Sequence, residues 1–344
     1  MQKPPKHILV IRLSAMGDVA MIVPVLRALT QQYPGIKITV LTRKFFTPFF
    51  RDLENVQVFH ADVKGKHKGV LGLYKLSREL KTLRIDAIAD LHNVLRSNIL
   101  KFFFSGTKHI QIDKGRAEKK ALTSGKQFRQ LKSTHQRYAE VFEQLGFKIN
   151  LLNPVFPKPY PLSDKILDSI TRDNKKRIGI APFAAFKGKA YPLELMEQVI
   201  KELSKTYSVL LFGGGQKEIE TLHNFEAEFE NVHSVAGKLS LDEELDVISN
   251  LDVMISMDSG NAHIAAMLGI EVITLWGVTH PFAGFYPFNQ NKENALLAHR
   301  NLFPQIPTSI YGNTFPKGYQ DAIRSITPQD IITKVEYIIQ KSLT

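Results

Sequence analysis

HILVIRLSAMGDVAMIVPVLRAL, residues 7–29, is the stretch whose reading decides the fold. The run Ile8–Ile11 is short, apolar and β-branched, which suits a strand buried on both faces of a sheet. Small and polar residues follow at Ser14, Ala15 and Gly17, and apolar residues then return at helical spacing from Asp18 onward. A buried strand, a tight turn and a helix opening there make the first half of a βα unit. In open parallel sheets, ligands bind beyond the carboxyl ends of the strands, where helix N-termini point free N–H groups. Ser14 and Asp18 are therefore the first candidates for function. An Asp at this point serves either as a helix-entry device or as a carboxylate placed to accept a proton.

The same alternation runs through the first half of the chain. Apolar runs HILVI, KITVLT, VQVFH, IDAIADL and KHIQID alternate with amphipathic stretches at 18–33, 44–53, 70–83 and 94–104. Near-continuous apolar strands between helices imply a parallel sheet covered on both faces. The pattern breaks at NLLNPVFPKPYPLS (150–163), a proline-rich stretch with neither helical nor strand period, which reads as an inter-domain linker. It restarts with KKRIGIAPF, YSVLLFGGG, VHSVAG, LDVMISMD and EVITLWG, and SITPQDIITKVEYIIQKSL closes the chain as a capped helix. The expected class is α/β, with two domains of one architecture.

Composition narrows the chemistry. The 344 residues contain no cysteine, which excludes disulfides, thiolate nucleophiles and Cys-based metal centres. Arg12 and Asp18 break the apolar run near the N-terminus, so it reads as neither signal peptide nor anchor, and no run approaches a membrane span. A cytoplasmic location is expected. Residues 1–150 carry 27 Lys and Arg against 11 Asp and Glu, and residues 151–344 carry 18 against 22, so the halves stand at +16 and −4. A basic bias confined to one half implies an anionic partner there: nucleic acid, phosphorylated glycolipid or membrane surface. It is densest over 112–138, where Lys114, Arg116, Lys119, Lys120, Lys126, Arg129, Lys132 and Arg137 face only Asp113 and Glu118. That segment reads as a basic surface loop, helical in part and mobile in part.

Further candidates sit where other strands end. HNVLRS offers His92, Asn93 and Arg96; APFAAFKGKAYP offers Lys187 and Lys189 just before a helix start, a suitable place for a diphosphate; FGGGQKE is glycine-rich without being a P-loop or a first-unit G-x-G-x-x-G fingerprint. MDSGNAHIAA places Asp258, Ser259 and Gly260 at a helix entrance and His263 one turn in. No D-x-D occurs anywhere, so a metal held in that way on a nucleotide diphosphate is not expected, and lysines with helix dipoles must neutralise such a group instead.

Together, ILVIRLSAMGDVAMIVPVLRAL and MISMDSGNAHIAAMLGIEVITLWGVTHP resemble glycosyltransferase family nine, the ADP-heptose:lipopolysaccharide heptosyltransferases, with KAYP and GKLSL between them in the right order. The resemblance implies a GT-B fold of two Rossmann-like domains, with parallel sheets facing across a cleft. It puts the acceptor on residues 1–155, the nucleotide sugar on 156–326, and a last helix (327–344) back on the first domain. By the same resemblance Asp18 is the general base, and Lys187 and Lys189 lie on the donor's phosphate side, with Lys189 as the diphosphate contact. Glu218 meets the ribose, Leu239 walls the adenine, and Asp258, Ser259, Gly260 and His263 hold the donor's sugar and phosphates. Ser14, His92, Asn93, Arg96, Arg116, Lys119 and Lys120 are expected on the acceptor side. Ala184 and Ala185 stand where some members carry hydroxyls, and Tyr191 where Trp is usual.

The expected activity is metal-independent, inverting transfer of a heptose or related sugar from an ADP-sugar to an anionic core glycolipid, without cofactor, at the inner face of the cytoplasmic membrane. Two alternatives remain open on sequence. One is a nucleotide-sugar epimerase or other sugar transferase on the same scaffold. The other is a non-enzymatic nucleic-acid-binding protein, which the basic charge allows but no recognisable motif supports, so no specific nucleic-acid partner is expected.

Overall fold

His7–Ile11 is wholly buried as the central strand β1 in the computed structural model, which describes residues 4–170 and 173–342. Contacts divide the chain into two compact units: Met1–Lys114 with Lys132–Val155, and Gly115–Leu131 with Phe156–Thr344.

In the first unit β1 leads into α1 (Met16–Ala20) and α2 (Ile22–Gln32), followed by β2 (Lys37–Thr42), β3 (Val56–His60), α3 (Gly69–Lys81), β4 (Ala87–Asp90), α4 (Leu95–Phe102) and β5 (Lys108–Gln111). The strands are parallel in the order β3-β2-β1-β4-β5. Leu73, Leu76 and Leu80 recur along one face of α3 and pack with Leu9, Ile11, Leu41 and Ile88 of the sheet and with Leu100 of α4. The helix expected over 44–53 is a 3-10 helix, Lys44–Phe50, with Pro48 inside it. Proline removes a backbone donor and crowds the preceding turn, so a longer α-helix does not form.

Helix α5 (Arg116–Thr123) falls in the second unit, and α6 (Thr134–Leu145) returns to the first. Ser133 opens α6 with a reciprocal cap: its hydroxyl accepts the Gln136 N–H at 3.1 Å, and the Gln136 side chain accepts the Ser133 N–H at 2.9 Å. The proline-rich stretch 150–163 carries no regular element.

The second unit continues with α7 (Asp164–Ser169), β6 (Arg177–Ala181), α8 (Leu193–Leu203), β7 (Ser208–Leu211), α9 (Gln216–Glu228), β8 (Val232–Ser234), α10 (Leu241–Ile248), β9 (Val253–Met257), α11 (Gly260–Met267), β10 (Glu271–Trp276), β11 (Ala295–Leu297) and α12 (Pro328–Lys341). Its parallel order is β8-β7-β6-β9-β10-β11, the doubly wound arrangement in which the chain starts at the centre and works outward in both directions. Strand β11 is an edge strand beyond those expected.

The closing helix departs from expectation. Expected on the first domain, α12 is grouped with the second unit and buries Ile331, Ile332, Val335, Ile338 and Ile339 in that unit's core, against α8. Met196, Val199, Ile200 and Leu203 of α8 form an apolar stripe, and α12 packs against that helix. Position 344, the expected end of the helix, lies outside the described residues.

Candidate active site

In the first unit the strand order reverses between β1 and β4, and Ile11 lies opposite Asp90 across that pair. The residues that leave these two strands therefore emerge side by side. Arg12, buried, donates to the Leu91 carbonyl at 2.6 Å and to the Ser14 carbonyl at 2.8 Å, and its third arm meets Asp18 Oδ2 at 2.5 Å. Asp18 occupies the third position of α1, and the same Oδ2 accepts the Ala15 N–H at 3.1 Å. That is half of a capping box, since Ala15 has no side-chain acceptor to return. Oδ1 accepts nothing from the described residues, so one oxygen of an oriented carboxylate is left for a ligand hydroxyl. Tyr138 of α6, fully buried, donates its hydroxyl to the Asp18 carbonyl at 3.3 Å, and Arg12 lies 6.0 Å from its ring centre.

His92 closes this turn from the β4 side. Burial, with the Arg12 charge beside it, pushes the imidazole down to about 4, so it is neutral near pH 7. Its Nδ1 accepts the Leu13 N–H at a long 3.5 Å, which leaves Nε2 to donate to Ser14 Oγ at 3.4 Å. Asp90, wholly buried, holds the turn from below: Oδ1 accepts the N–H groups of His92 and Asn93 at 2.9 Å each, and Oδ2 accepts the Gln111 amide at 2.8 Å. Asn93 adopts a positive φ of 45° and spends its amide on the Ile112 carbonyl, so it shapes the turn. Arg96 is exposed in the first turn of α4.

In the second unit the order reverses between β6 and β9, with Ala181 opposite Ser256. Lys189, at the end of a 3-10 turn after β6, places Nζ 2.7 Å from Asp258 Oδ2 and 3.0 Å from the Asp258 carbonyl. Thr279 donates to the same Oδ2 at 3.0 Å. An ammonium has three donors, and two of Lys189's are spent on Asp258, which leaves one for an incoming oxygen. Ser259, extended, stands just ahead of α11, with its hydroxyl 3.1 Å from that of Ser256. Gly260 opens the helix, and His263 is buried one turn further on.

Two glycines fix the Lys189 turn. A Cβ on Gly188 would lie 2.5 Å from Val278 Cγ2 and 2.6 Å from the Gly312 carbonyl; one on Gly312, at φ +76°, would lie 2.6 Å from Lys189 Cγ. Lys187 is exposed at the start of the turn. Glu218, in the first turn of α9, accepts the Gly214 N–H at 2.8 Å and so ties the glycine loop to the helix. Leu239 is half-buried in the turn before α10. Tyr191 is a core residue whose hydroxyl donates to the Ile326 carbonyl at 2.8 Å.

The basic loop needs correcting. Residues 115–131, expected as a mobile part of the first domain, belong to the second unit. Leu122 and Leu131 pack with Ala283, Phe282, Phe285 and Ile310, and the Leu131 N–H donates to the Phe282 carbonyl at 2.9 Å. The Arg300 guanidinium lies 3.6 Å from the Phe128 ring centre, and Lys119 Nζ 4.1 Å from that of Phe285. Arg116, Lys119 and Lys120 are thus carried by the unit that holds Lys189. The anchors Leu122, Phe128 and Leu131 share no helical or strand period, so in sequence the charge around them dominates.

Sequence reasoning also passed over Arg12, Asp90, Tyr138 and Thr279 as site residues. Arg12 gave a signal, as a lone cation at the exit of an apolar strand. Asp90, the acid ending the run IDAIAD, gave a weaker one. Tyr138 and Thr279 gave none.

The buried imidazoles make stability depend on pH. His92, His109 and His280 are each pushed from 6.5 to about 4, by burial first and by neighbouring cations second. The unfolded chain takes up these protons near pH 6.5 and the folded protein only near 4, so acidification through that window favours unfolding. Glu244 works the other way: burial pushes its carboxyl up to about 7, so its protonation stabilises the fold as the pH falls towards 4.5. Thermal melts should show a falling Tm from pH 6.5 to 4, steeper in Glu244→Gln. A flat profile would contradict the buried, neutral imidazoles.

Two doubly wound parallel units, each gathering charged residues at its switch point, define a GT-B type of protein. Residues 73–312, more than half of the chain, match the model of glycosyltransferase family 9 (heptosyltransferase), and the chain belongs to that family. It is therefore a glycosyltransferase, which favours transfer over the epimerase and nucleic-acid alternatives. Lipopolysaccharide core heptosyltransferase OpsX of Haemophilus influenzae is 26% identical over 299 residues, covering 85% of this chain and 84% of that protein. The crystal structure of a family 9 glycosyl transferase from Veillonella parvula superposes with a TM-score of 0.77 at 19% identity, covering 99% of each chain. That of ADP-heptose lps heptosyltransferase II from E. coli does so with a TM-score of 0.72 at 20% identity, covering 98% of this chain and 100% of the other.

Proposed function

We propose that this chain transfers a heptose from ADP-heptose to an anionic lipopolysaccharide-core glycolipid, in one inverting displacement that needs no metal. The observation that carries the reading is the Lys189–Asp258 pair beside the N-terminus of α11. It supplies a fixed cation and free backbone N–H groups at the point where a doubly wound sheet receives a nucleotide. The names of the relatives given above, one a core heptosyltransferase and one an ADP-heptose enzyme, support this donor and this acceptor class.

The chemistry divides between the units. In the second, Lys189 and the first N–H groups of α11 stabilise the negative charge that grows on the departing diphosphate. Glu218 and Leu239 take the ribose and adenine sides, with Ser259 and His263 near the sugar and phosphates. In the first, Asp18 removes the proton from the acceptor hydroxyl as it attacks the anomeric carbon, and Arg12 holds the carboxylate in place. Ser14 and His92 line the same turn. A single attack from the face opposite the leaving group inverts the centre. The first unit keeps an excess of Lys and Arg without residues 115–131, and that excess matches an acceptor bearing phosphates and carboxylates at the inner membrane face.

A thermal-shift panel of nucleotide sugars tests the donor, because a ligand that binds only the folded state raises Tm. ADP-heptose is expected to give the largest shift, undiminished by EDTA. A larger shift with a UDP-sugar, or loss of the ADP-heptose shift on chelation and its return with Mg²⁺, would overturn the reading.

A further inference from the structure

Helix α3 buries Leu73, Leu76 and Leu80, and its outward face should by ordinary amphipathic logic be polar. It is not. Val70 is 57% exposed, Leu71 85% and Tyr74 48%, and on α4 Leu95 is 76% and Phe102 80% exposed. These residues are neighbours. Tyr74 lies three residues from Leu71 and four from Val70, so the three share one face of the helix. The Tyr74 ring meets Phe103 edge-on at 5.4 Å, and Phe103 stands 6.0 Å from Phe102. Leu95 is two turns before Phe102 on the same side of α4. The result is an exposed apolar ridge across two packed helices of the first unit, of a kind that marks an interaction site.

The surrounding charge says what covers it. Lys64, Lys68, Lys75, Arg78, Lys101 and Lys108 are all exposed on the segments that carry or flank the ridge. Glu79, the carboxylate of α3, is already paired with Lys66 at 2.7 Å, and α4 has no acid at all. A second copy of the chain would bring like-charged rims together. An anionic bilayer offers the opposite sign together with an apolar layer for shallow side chains, and a tyrosine at the ridge suits the boundary between the two.

We propose that the α3–α4 ridge is a membrane-docking surface, on which Leu71, Tyr74 and Phe102 enter the headgroup region of an anionic lipid bilayer while the lysines hold its phosphates. This rests on the reading of the acceptor as a membrane glycolipid and adds the face by which the protein reaches it. Among the described residues no helix is long and apolar enough to cross a membrane, so the contact is one of surface insertion.

The test is co-sedimentation of the full chain with vesicles of phosphatidylglycerol and phosphatidylethanolamine that contain no glycosyl acceptor, so that lipid binding is read apart from substrate binding. The wild-type protein should bind these and not phosphatidylcholine vesicles. Leu71→Ser with Phe102→Ser should weaken binding about 10-fold or more. Each of Lys68→Ser and Lys101→Ser should weaken it about fivefold, less at high salt. All four positions are exposed, and the Tm and the ADP-heptose shift should stay at wild-type values. Equal vesicle binding by the wild type and the double variant, or equal binding to phosphatidylcholine, would overturn the proposal. So would a wild-type dimer that the double variant abolishes, without vesicle binding, since the ridge would then be a self-contact. Loss of the ADP-heptose shift in the wild type would sink the functional reading while leaving the vesicle result standing.

Discussion

Asp18→Asn is expected to lower turnover by about 10²-fold or more while leaving donor binding unchanged. The carboxylate stands at the switch point of the first sheet, with Oδ2 committed to Arg12 and Ala15 and Oδ1 uncommitted among the described residues. An amide of the same shape still accepts the Ala15 N–H, but it takes no proton from an attacking hydroxyl. Arg12 keeps its bonds to the Leu91 and Ser14 carbonyls, so the fold should survive at a cost of about 1–3 kcal/mol. Steady-state rates with a melting curve and a donor-binding isotherm separate these effects. Turnover within a few-fold of wild type would remove Asp18 from the chemistry.

The second large effect is expected from Lys189→Ala. Lys189 and Asp258 are largely buried together, and removal of the lysine leaves the carboxylate with only the Thr279 hydroxyl and the other groups around its turn. Breaking such a pair costs about 3 kcal/mol of stability, because the remaining charge stays desolvated. The same change removes a charge-assisted bond to the diphosphate, which should weaken donor affinity by about 10- to 100-fold and slow departure of the leaving group. The two consequences are separable. Adding Asp258→Asn to Lys189→Ala should restore most of the lost Tm, because no unpaired charge remains, without restoring donor affinity. If donor affinity returned along with Tm, Lys189 would be a structural residue only.

The sheets could be read from the sequence because their central strands are buried on both faces and so appear as near-continuous apolar runs. Ile8–Ile11 and Val253–Met257 are of this kind, and the polar residues that end them fall at the two switch points. Asp18, Lys189 and Asp258 became candidates on that local signal. What stayed hidden depends on residues far apart in the chain. Arg12 reaches Leu91, Tyr138 reaches Asp18, and Gly312 admits Lys189. No spacing rule encodes such contacts. The apolar face of α12 announces a buried helix but not its partner, and α8 proved to supply it. In residues 115–131 charge hid three scattered anchors, Leu122, Phe128 and Leu131, and with them the unit to which the segment belongs.

The most direct measurement incubates the purified protein with ADP-heptose and a core glycolipid lacking its heptose, in EDTA, and follows ADP release and the anomeric configuration of the product by NMR. The expected result is ADP release that requires the glycolipid, yields an inverted linkage and is nearly abolished in Asp18→Asn. ADP release that ignores the acceptor, a retained configuration, or full activity without the carboxylate would contradict direct displacement by a hydroxyl that Asp18 deprotonates.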